Sequence, residues 1–154
     1  MQIMIAAVGR LRGAEADLTA DYLARATQAG RATALGPVTL QEVDERHARH
    51  SPAQAERLLA LSEGCARIVL DERGRSLDSP ALARHLASLR DGGTRRAAFL
   101  IGGADGHTTP AREAADLSLS LGPMVWPHAL ARVMVAEQIY RATQILAGTP
   151  YHRA

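Results

Sequence analysis

Strand-like apolar segments alternate with helical segments along the whole of this 154-residue chain, and this order constrains its fold more than any other feature. Two helical segments, SPAQAERLLALSEG and DSPALARHLASLRDGG, have a polar capping residue before proline and a glycine after the last turn. Such residues are typical of helix boundaries. Regular alternation of strands and helices predicts an α/β class with a largely parallel sheet, formed as a single domain over residues 1–154.

The remaining elements are predicted from apolar periodicity. Strands are expected in MQIMIAAVGR, ending at Gly9, and in VTLQEVD. RIVLDERG predicts a short strand that runs into a polar loop, and RAAFLIGGADGH a strand that runs into a glycine loop. TPAREAADLSLSLG predicts a short helix followed by a strand. GAEADLTADYLARATQAG predicts a helix that stops at Gly30, and PHALARVMVAEQIYRATQILAG predicts the last helix.

The last helix is apolar around most of its circumference instead of along one stripe. Its apolar residues include Val133, Met134, Val135, Ile139, Ile145 and Leu146. A helix that is apolar on nearly all sides is buried on nearly all sides. In a chain this short we therefore expect a homodimer with this helix at the interface. The alternative is a helix enclosed within one subunit.

The composition favours a soluble cytoplasmic protein. No stretch approaches the roughly 20 apolar residues of a membrane span, and the N-terminal segment lacks the basic leader and cleavage site of a signal peptide. The single cysteine, Cys65, fits a reducing compartment and excludes an intrachain disulfide framework. The net charge is only +2, but after residue 122 the arginines face a single acid, Glu137, so the C-terminal fifth is the basic part.

Two loops that follow predicted strands are candidate ligand sites. In FLIGGADGH the glycines after the strand let the backbone approach a ligand closely, although a tight turn explains the pattern equally well. In LGPMVWPHALAR two prolines constrain an apolar loop that could bind the edge of an aromatic ring such as adenine. The alternative for this second loop, slightly favoured by composition, is a buried crossover into the last helix.

Other patterns give little support for a catalytic or metal site. LDERG fits a solvated charged loop better than a pair of catalytic carboxylates, because arginines interleave with its acids. His47 and His50 lie three residues apart without a cysteine partner, so we expect no metal. The chain lacks GxGxxG, GxxxxGK[ST] and GxSxG patterns, which disfavours nucleotide-phosphate binding and nucleophilic triads.

Taken in order, the LD loop, FLIGGADGH, LSLSLGPMVWPHALARVMVAEQIYRA and the terminal PYHRA resemble the RlmH family of SPOUT-class methyltransferases, which modify N3 of a pseudouridine in 23S ribosomal RNA. The match is dense over residues 68–154 and sparse over residues 1–66. The resemblance implies a SPOUT-type α/β knot, in which the C-terminal part of the parallel sheet is tied in a deep trefoil knot. This would be an exception to the rule that protein chains are not knotted. It also implies a homodimer that acts on ribosomal RNA with S-adenosylmethionine as methyl donor.

Carried over by position, the resemblance places the S-adenosylmethionine contacts in three loops of the knot. They are Leu70, Gly103, and Gly122, Pro123, Met124, Val125, Trp126 and Pro127 before the last helix. Gly122 departs from the small hydroxyl residue of some members, and Trp126 departs from the usual aliphatic residue. A loop that binds through its backbone can absorb both changes, although the wall of the pocket then differs.

The terminal YHR offers groups suited to the reaction that the resemblance implies. Methyl transfer to N3 requires two substrates oriented in line and the loss of an imide proton. We assign His152 to proton transfer or substrate positioning and Arg153 to the charge that develops on the substrate. Tyr151 is expected to stack on a base, and Arg141 and His128 to bind substrate from the last helix or from the other subunit.

Other functions stay open at this point. One is a SPOUT methyltransferase that acts on another RNA such as a tRNA, and the YHR end counts against it. Another is a ribosome-binding protein that has lost catalysis, and the intact glycines count against that. The tail could also do no more than seal the dimer. Glu137 is expected to orient an arginine rather than act as a base. Because the chain is small and weakly charged, we expect it to need its dimer surface and a large structured target, such as the assembled ribosome.

Overall fold

The computed structural model describes residues 1–46, 48 and 50–153. In that part of the chain strands and helices alternate as β1 (Gln2–Val8), α1 (Gly13–Thr33), β2 (Val38–Val43), α2 (Ser51–Leu61), β3 (Ala66–Ser76), α3 (Ser79–Asp91), β4 (Arg96–Ile101), α4 (Thr109–Glu113), β5 (Leu117–Ser120) and α5 (His128–Leu146). The strands form one parallel sheet in the order β2-β1-β4-β3-β5. The predicted α/β class with a parallel sheet is confirmed. No helix among the described residues is long and apolar enough to cross a membrane.

The strand order explains which face of the sheet each helix covers. The connections through α1 and α3 lead to the neighbouring strand in one direction, whereas those through α2 and α4 lead over other strands in the opposite direction. Because such crossovers are right-handed, opposite directions put the helices on opposite faces. Accordingly, α1 and α3 pack with α5, and α2 packs with α4. Alternate residues of β1 supply the two cores: Ile5 on the α5 side and Val8 on the α2 side.

The last helix is buried largely within its own chain. It packs against α1 and α3 and touches β1 and β4. Val135, Ala136 and Ile139 are at most 2% exposed without any second subunit. Enclosure within one chain, the alternative raised from the sequence, therefore explains much of its apolar surface. The homodimer remains a prediction.

The predicted stop of α1 at Gly30 is wrong. The helix continues to Thr33 and ends at Ala34, which has a left-handed backbone. The chain then turns back so tightly that the Leu35 N–H donates to the Gly30 carbonyl, at 3.0 Å. A methyl group on Gly30 would overlap the carbonyl of Leu35. Glycine is needed there for the close approach of the returning chain and not as a helix breaker.

The predicted polar loop in RIVLDERG is an excursion within β3. The strand pairs with β5 up to Leu70 and again from Arg75, and the register shifts between these two residues. Gly74 brings the strand back beside β5. A methyl group on Gly74 would lie 2.7 Å from backbone atoms of Ser118 and Leu119. The pairing after the excursion thus depends on a residue without a side chain.

Replacing Gly74 by alanine should lower the free energy of unfolding by about 1–3 kcal/mol, because the rigid backbone of β5 cannot move away from the added methyl group. Urea unfolding measures this change. Glu72→Ala is the matched control in the same excursion: its side chain is exposed, so its effect should stay within about 0.5 kcal/mol. Equal losses in the two variants would contradict the close-approach explanation.

Candidate functional site

A cavity of about 350 Å³ opens at the edge of the sheet where β3, β4 and β5 end. The β3 excursion, the glycine loop after β4, the loop between β5 and α5, and the first turn of α5 line it. These segments converge because parallel strands all end at the same edge, which is where α/β proteins form their ligand crevice. The volume lies in the range of roughly 300–1,000 Å³ that is usual for small-molecule sites.

The cavity brings together nearly all the residues that the resemblance assigned to the cofactor. Its lining includes Leu70, Gly103, Gly122, Pro123, Met124, Val125 and Trp126. Pro127 is outside the lining and serves as the N-cap of α5. His128, which we expected to bind substrate, lies at the cavity beside these loops.

The glycine loop after β4 is tightly packed at its first two glycines. A methyl group on Gly102 would lie 2.9 Å from the Gly106 backbone, and one on Gly103 would lie 2.6 Å from Gln54 Oε1. The Gly106 N–H donates to the Gly103 carbonyl at 2.9 Å, which closes the turn. The loop is therefore a tight turn, one of the two explanations raised from the sequence, and its glycines line the cavity. The close approach of a ligand to this backbone stays a prediction.

His107, which sequence reasoning missed as a functional residue, holds this loop against β4. Its ring is almost fully buried, and Nε2 lies 3.1 Å from the Leu100 carbonyl, to which it donates when it carries the hydrogen. Burial lowers the pKa of His107, so the ring is kept neutral. The Arg112 guanidinium donates to the His107 carbonyl at 2.6 Å from the other side. The only signal in the sequence was a histidine directly after the glycines.

The loop between β5 and α5 is not a buried crossover in the single chain, so that alternative is wrong. Met124 is 68% exposed and Val125 is 90% exposed. In the part of the chain that the structure describes, no other element covers these two side chains. Exposed apolar side chains beside a cavity mark a surface that a ligand or another protein covers.

The charged residues of the β3 excursion lie at the rim of the cavity. Asp71 accepts a hydrogen bond from the Arg73 backbone at 2.9 Å, and the Glu72 and Arg73 side chains are exposed. This agrees with a solvated charged loop. Among the described residues no group of three His, Cys, Asp or Glu side chains is arranged to hold a metal ion. His47, one of the two histidines considered from the sequence, lies outside the described residues.

The C-terminal tail folds back on α5 around Glu137. Tyr151 Oη donates to Glu137 Oε1 at 2.9 Å, and Arg141 donates to the same oxygen through Nε and Nη2 at 3.0 and 2.6 Å. The Arg141 guanidinium also lies 4.8 Å from the centre of the Tyr151 ring and 3.3 Å from His152 Nδ1. The edge of Tyr140 packs on Tyr151 at 4.7 Å between ring centres. Glu137 therefore orients an arginine, as the sequence suggested.

The charges in this cluster fix what its members can do. The hydrogen bond to Glu137 raises the pKa of Arg141, which stays cationic. Burial, followed by the hydrogen bond to Glu137, raises the pKa of Tyr151, so its phenol remains a donor and does not act as a base. In the single chain Arg141 covers one face of the Tyr151 ring, and this limits the stacking that we expected from Tyr151.

Within one chain the tail cluster and the cavity lie apart. His128 begins α5 beside the cavity, whereas Arg141 lies about 20 Å further along the axis at the helical rise of about 1.5 Å per residue. Tyr151 and His152 contact the helix near Arg141, and Arg153 is exposed. The structure thus places most residues assigned to the cofactor near His128, and separately places Arg141 near the tail.

Known proteins resemble this chain over its whole length. The family profile described as "Predicted SPOUT methyltransferase" matches residues 1–152. The chain is 57% identical over 155 residues to Ribosomal RNA large subunit methyltransferase H of Paracoccus denitrificans (strain Pd 1222). It is 51% identical to the protein of that name from Dinoroseobacter shibae and 50% identical to that from Maricaulis maris. Each alignment covers 99% of both chains.

The buried His107 should make stability depend on pH. Because its folded-state pKa is lowered, the unfolded chain binds a proton more readily. The free energy of unfolding should therefore be largest above about pH 6.5 and fall as the pH drops below that value. Burial also lowers the pKa of His85, which adds in the same direction.

Urea unfolding at pH values from about 7.5 to about 5 measures this dependence, with His107→Gln as the variant that isolates the His107 contribution. The glutamine amide can still donate to the Leu100 carbonyl but does not titrate. We expect a shallower dependence in the variant than in the unaltered chain. Identical dependences would show that His107 does not titrate differently on folding.

Proposed function

This chain belongs to the SPOUT methyltransferase family, and we propose that it transfers the methyl group of S-adenosylmethionine to N3 of a pseudouridine in the 23S RNA of the large ribosomal subunit. The observation that carries the proposal is the cavity: loops that the motifs single out converge there, in a chain half or more identical to proteins named for large-subunit RNA methylation. The enzyme acts on ribosomal RNA as a homodimer in the cytoplasm, where it meets the ribosome.

The cavity suits S-adenosylmethionine in size and in the character of its walls. Its glycine loop lines the cavity, and Gly102 packs so closely on the Gly106 backbone that an added methyl group would lie 2.9 Å from it. Leu70, Gly103 and the loop over residues 122–126 would hold the cofactor. When bound, S-adenosylmethionine supplies an electrophilic methyl group on a sulfonium. The backbone polar groups of the loops orient the adenine by binding its edge, and apolar side chains exclude water.

The residues of the chain have to orient the pseudouridine and handle its N3 proton. His152 acts as the proton acceptor or holds the base in line with the methyl group. Arg153 stabilises the negative charge that spreads over the flanking carbonyls as the proton leaves. Arg141, oriented by Glu137, and His128 at the cavity bind the substrate around them. Tyr151 anchors the tail through Glu137, and any free ring surface is available to a base.

The separation of tail and cavity in one chain supports a site shared between two subunits. In a dimer with two-fold symmetry, whatever one subunit gives its partner it also receives. The tail of one chain would then complete the cavity of the other, with the exposed loop at Met124 and Val125 covered in the same interface. The trefoil knot implied by the resemblance belongs to this proposal, and the return of the chain into α5 between α1 and α3 is compatible with it.

The direct test is methylation of ribosomes from cells that lack the family enzyme, with methyl-labelled S-adenosylmethionine. Label should map to a pseudouridine of the large-subunit RNA. Arg153→Ala should lower the rate by about 10²–10³-fold, since it removes one group that binds the developing charge. Arg95→Ala, which removes an exposed arginine at the opposite edge of the sheet, should leave the rate unchanged.

The other outcomes separate the competing functions. Label found in tRNA but not in ribosomal RNA would overturn the substrate. Absence of label, in a folded dimer that binds S-adenosylmethionine, would favour a ribosome-binding protein without catalysis. Equal rates in the two arginine variants would remove Arg153 from the site.

Mixed dimers test whether the tail acts on the partner's cavity. Gly102→Val should abolish cofactor binding, because its side chain would collide with the Gly106 backbone in the loop that lines the cavity. Co-expressed with Arg153→Ala, it should restore about one quarter of the normal activity, since half of the dimers are mixed and each has one intact composite site. Each variant alone should be nearly inactive. No recovery in purified mixed dimers would place the tail and the cavity of a site in the same chain.

A further inference from the structure

Arg132, in the PHALAR segment, is a charged side chain in the interior of the protein. It is 3% exposed and lies one turn into α5. We propose that Arg132 is a positioning residue, which ties the start of α5 to the end of β1 and thereby fixes the distance between the two loops on either side of the cofactor cavity. The inference rests on the proposed function, because that function makes these loops the cofactor site.

The guanidinium of Arg132 binds acceptors from two strands. Nη2 donates to the Val8 carbonyl, and Nη1 donates to the Gly9 carbonyl at 2.9 Å and lies 3.3 Å from Glu42 Oε1. The same Glu42 oxygen accepts a hydrogen bond from the Leu11 N–H at 2.7 Å. One arginine thus connects α5 with the ends of β1 and β2 and with the segment that follows β1.

The Val8-Gly9 turn is shaped to receive this arginine. Gly9 has a φ of +85°, which glycine adopts readily and other residues rarely do. This backbone turn lets two consecutive carbonyls face one guanidinium, whereas an extended strand would point them to opposite sides. Gly9 also donates its N–H to the Val43 carbonyl at 2.8 Å, so the turn is anchored to β2. The VG that ends the first strand therefore acquires a role that the sequence left unexplained.

Both walls of the cavity lie next to this clamp. On one side, a methyl group on Gly103 would lie 3.3 Å from Val8 Cγ1, so the glycine loop rests on the clamped end of β1. On the other side, Ala131 lines the cavity and immediately precedes Arg132. The loop between β5 and α5 joins the sheet through Gly122, whose N–H lies 3.2 Å from Ser120 Oγ. For residues 1–46, 48 and 50–153, no hydrogen bond reaches residues 123–126, so the loop depends on its two ends.

A buried charge is an unusual choice for packing alone. Burial lowers the pKa of Arg132, and Glu42 and Glu45 oppose that effect. An apolar side chain of similar size would avoid the loss of hydration and often packs as well or better. What the guanidinium adds is direction: a planar group with donors at fixed angles holds two carbonyls and a carboxylate in one arrangement.

The single tryptophan of the chain makes the inference measurable without activity. Trp126 lies in the loop that Arg132 is proposed to position and is 36% exposed. Arg132→Lys keeps the charge but replaces the fork by one ammonium group. Without cofactor, we expect acrylamide quenching of Trp126 fluorescence to rise by about twofold. Glu42→Gln, which removes only the charge partner, should give a smaller change and keeps the test valid if the lysine variant folds poorly.

The matched control is Arg67→Lys. Arg67 donates to Ser62 Oγ at 2.9 Å and to the Leu59 carbonyl at 3.3 Å, but it lies at the start of β3, at the opposite edge of the sheet. It should lower thermal stability without changing Trp126 quenching. Light scattering must show the same oligomeric state for all variants. Equal quenching in the Arg132 and Arg67 variants, with Glu42→Gln also unchanged, would overturn the inference.

Calorimetric titration with S-adenosylmethionine links the loop to the site. Arg132→Lys should bind about tenfold more weakly than the unaltered chain, a difference of about 1.4 kcal/mol, whereas Arg67→Lys should bind equally well. Normal affinity in Arg132→Lys would overturn the inference and leave the proposed function intact. Absence of binding by the unaltered chain would overturn the proposed function itself, and the inference with it.

Discussion

The packing of α5 between α1 and α3, over β1 and β4, is the interaction on which the rest of the structure depends. Its apolar residues point in several directions because three neighbours surround it: the sheet, α1 and α3. The N-terminal end of the same helix borders the cavity, and its later turns hold the C-terminal tail. One rigid element thus connects the proposed cofactor site with the proposed substrate-binding residues.

The loops around the cavity are held by close packing at glycines more than by charged side chains. Gly74 lets β3 leave the sheet and return, and Gly102 and Gly103 let the next loop fold against Gly106 and Gln54. In each case a single methyl group would meet backbone or a neighbouring side chain. These close contacts fix the backbone of two of the loops that line the cavity. Trp126 lines this cavity, so its side chain forms part of the wall beside the backbone that is proposed to bind the cofactor.

Two arginines of α5 contribute in different ways. Arg132 is buried and holds strand ends, whereas Arg141 is partly exposed and is held in place by Glu137 beside Tyr151 and His152. In both cases a carboxylate balances or orients the guanidinium, and Glu137 is the only acid in the C-terminal part of the chain. Glu137 therefore balances only part of the positive charge of this region. The remaining positive charge suits a surface proposed to bind RNA.

The sequence by itself determined the α/β class, most helix and strand positions and the loops that form the cavity. These follow from local rules: periodicity, capping residues and the convergence of loops at one edge of a parallel sheet. It failed at Gly30 and at the loop over residues 123–126, because the first reflects a contact with a distant residue and the second reflects what lies beside the loop in space. The roles of Gly74, His107 and Arg132 required the tertiary structure.

The same distinction applies to the tail. The YHR motif identified the groups, but only the fold showed that Tyr151 and His152 lie on α5 far from the cavity of their own chain. Sequence order alone does not give the distance between two residues in space, whereas their positions on one helix do, because the helix has a fixed rise per residue. The chemistry proposed for the site rests on residue types and motif resemblance. Its division into two separate clusters was decided by packing, because packing alone sets which surfaces meet.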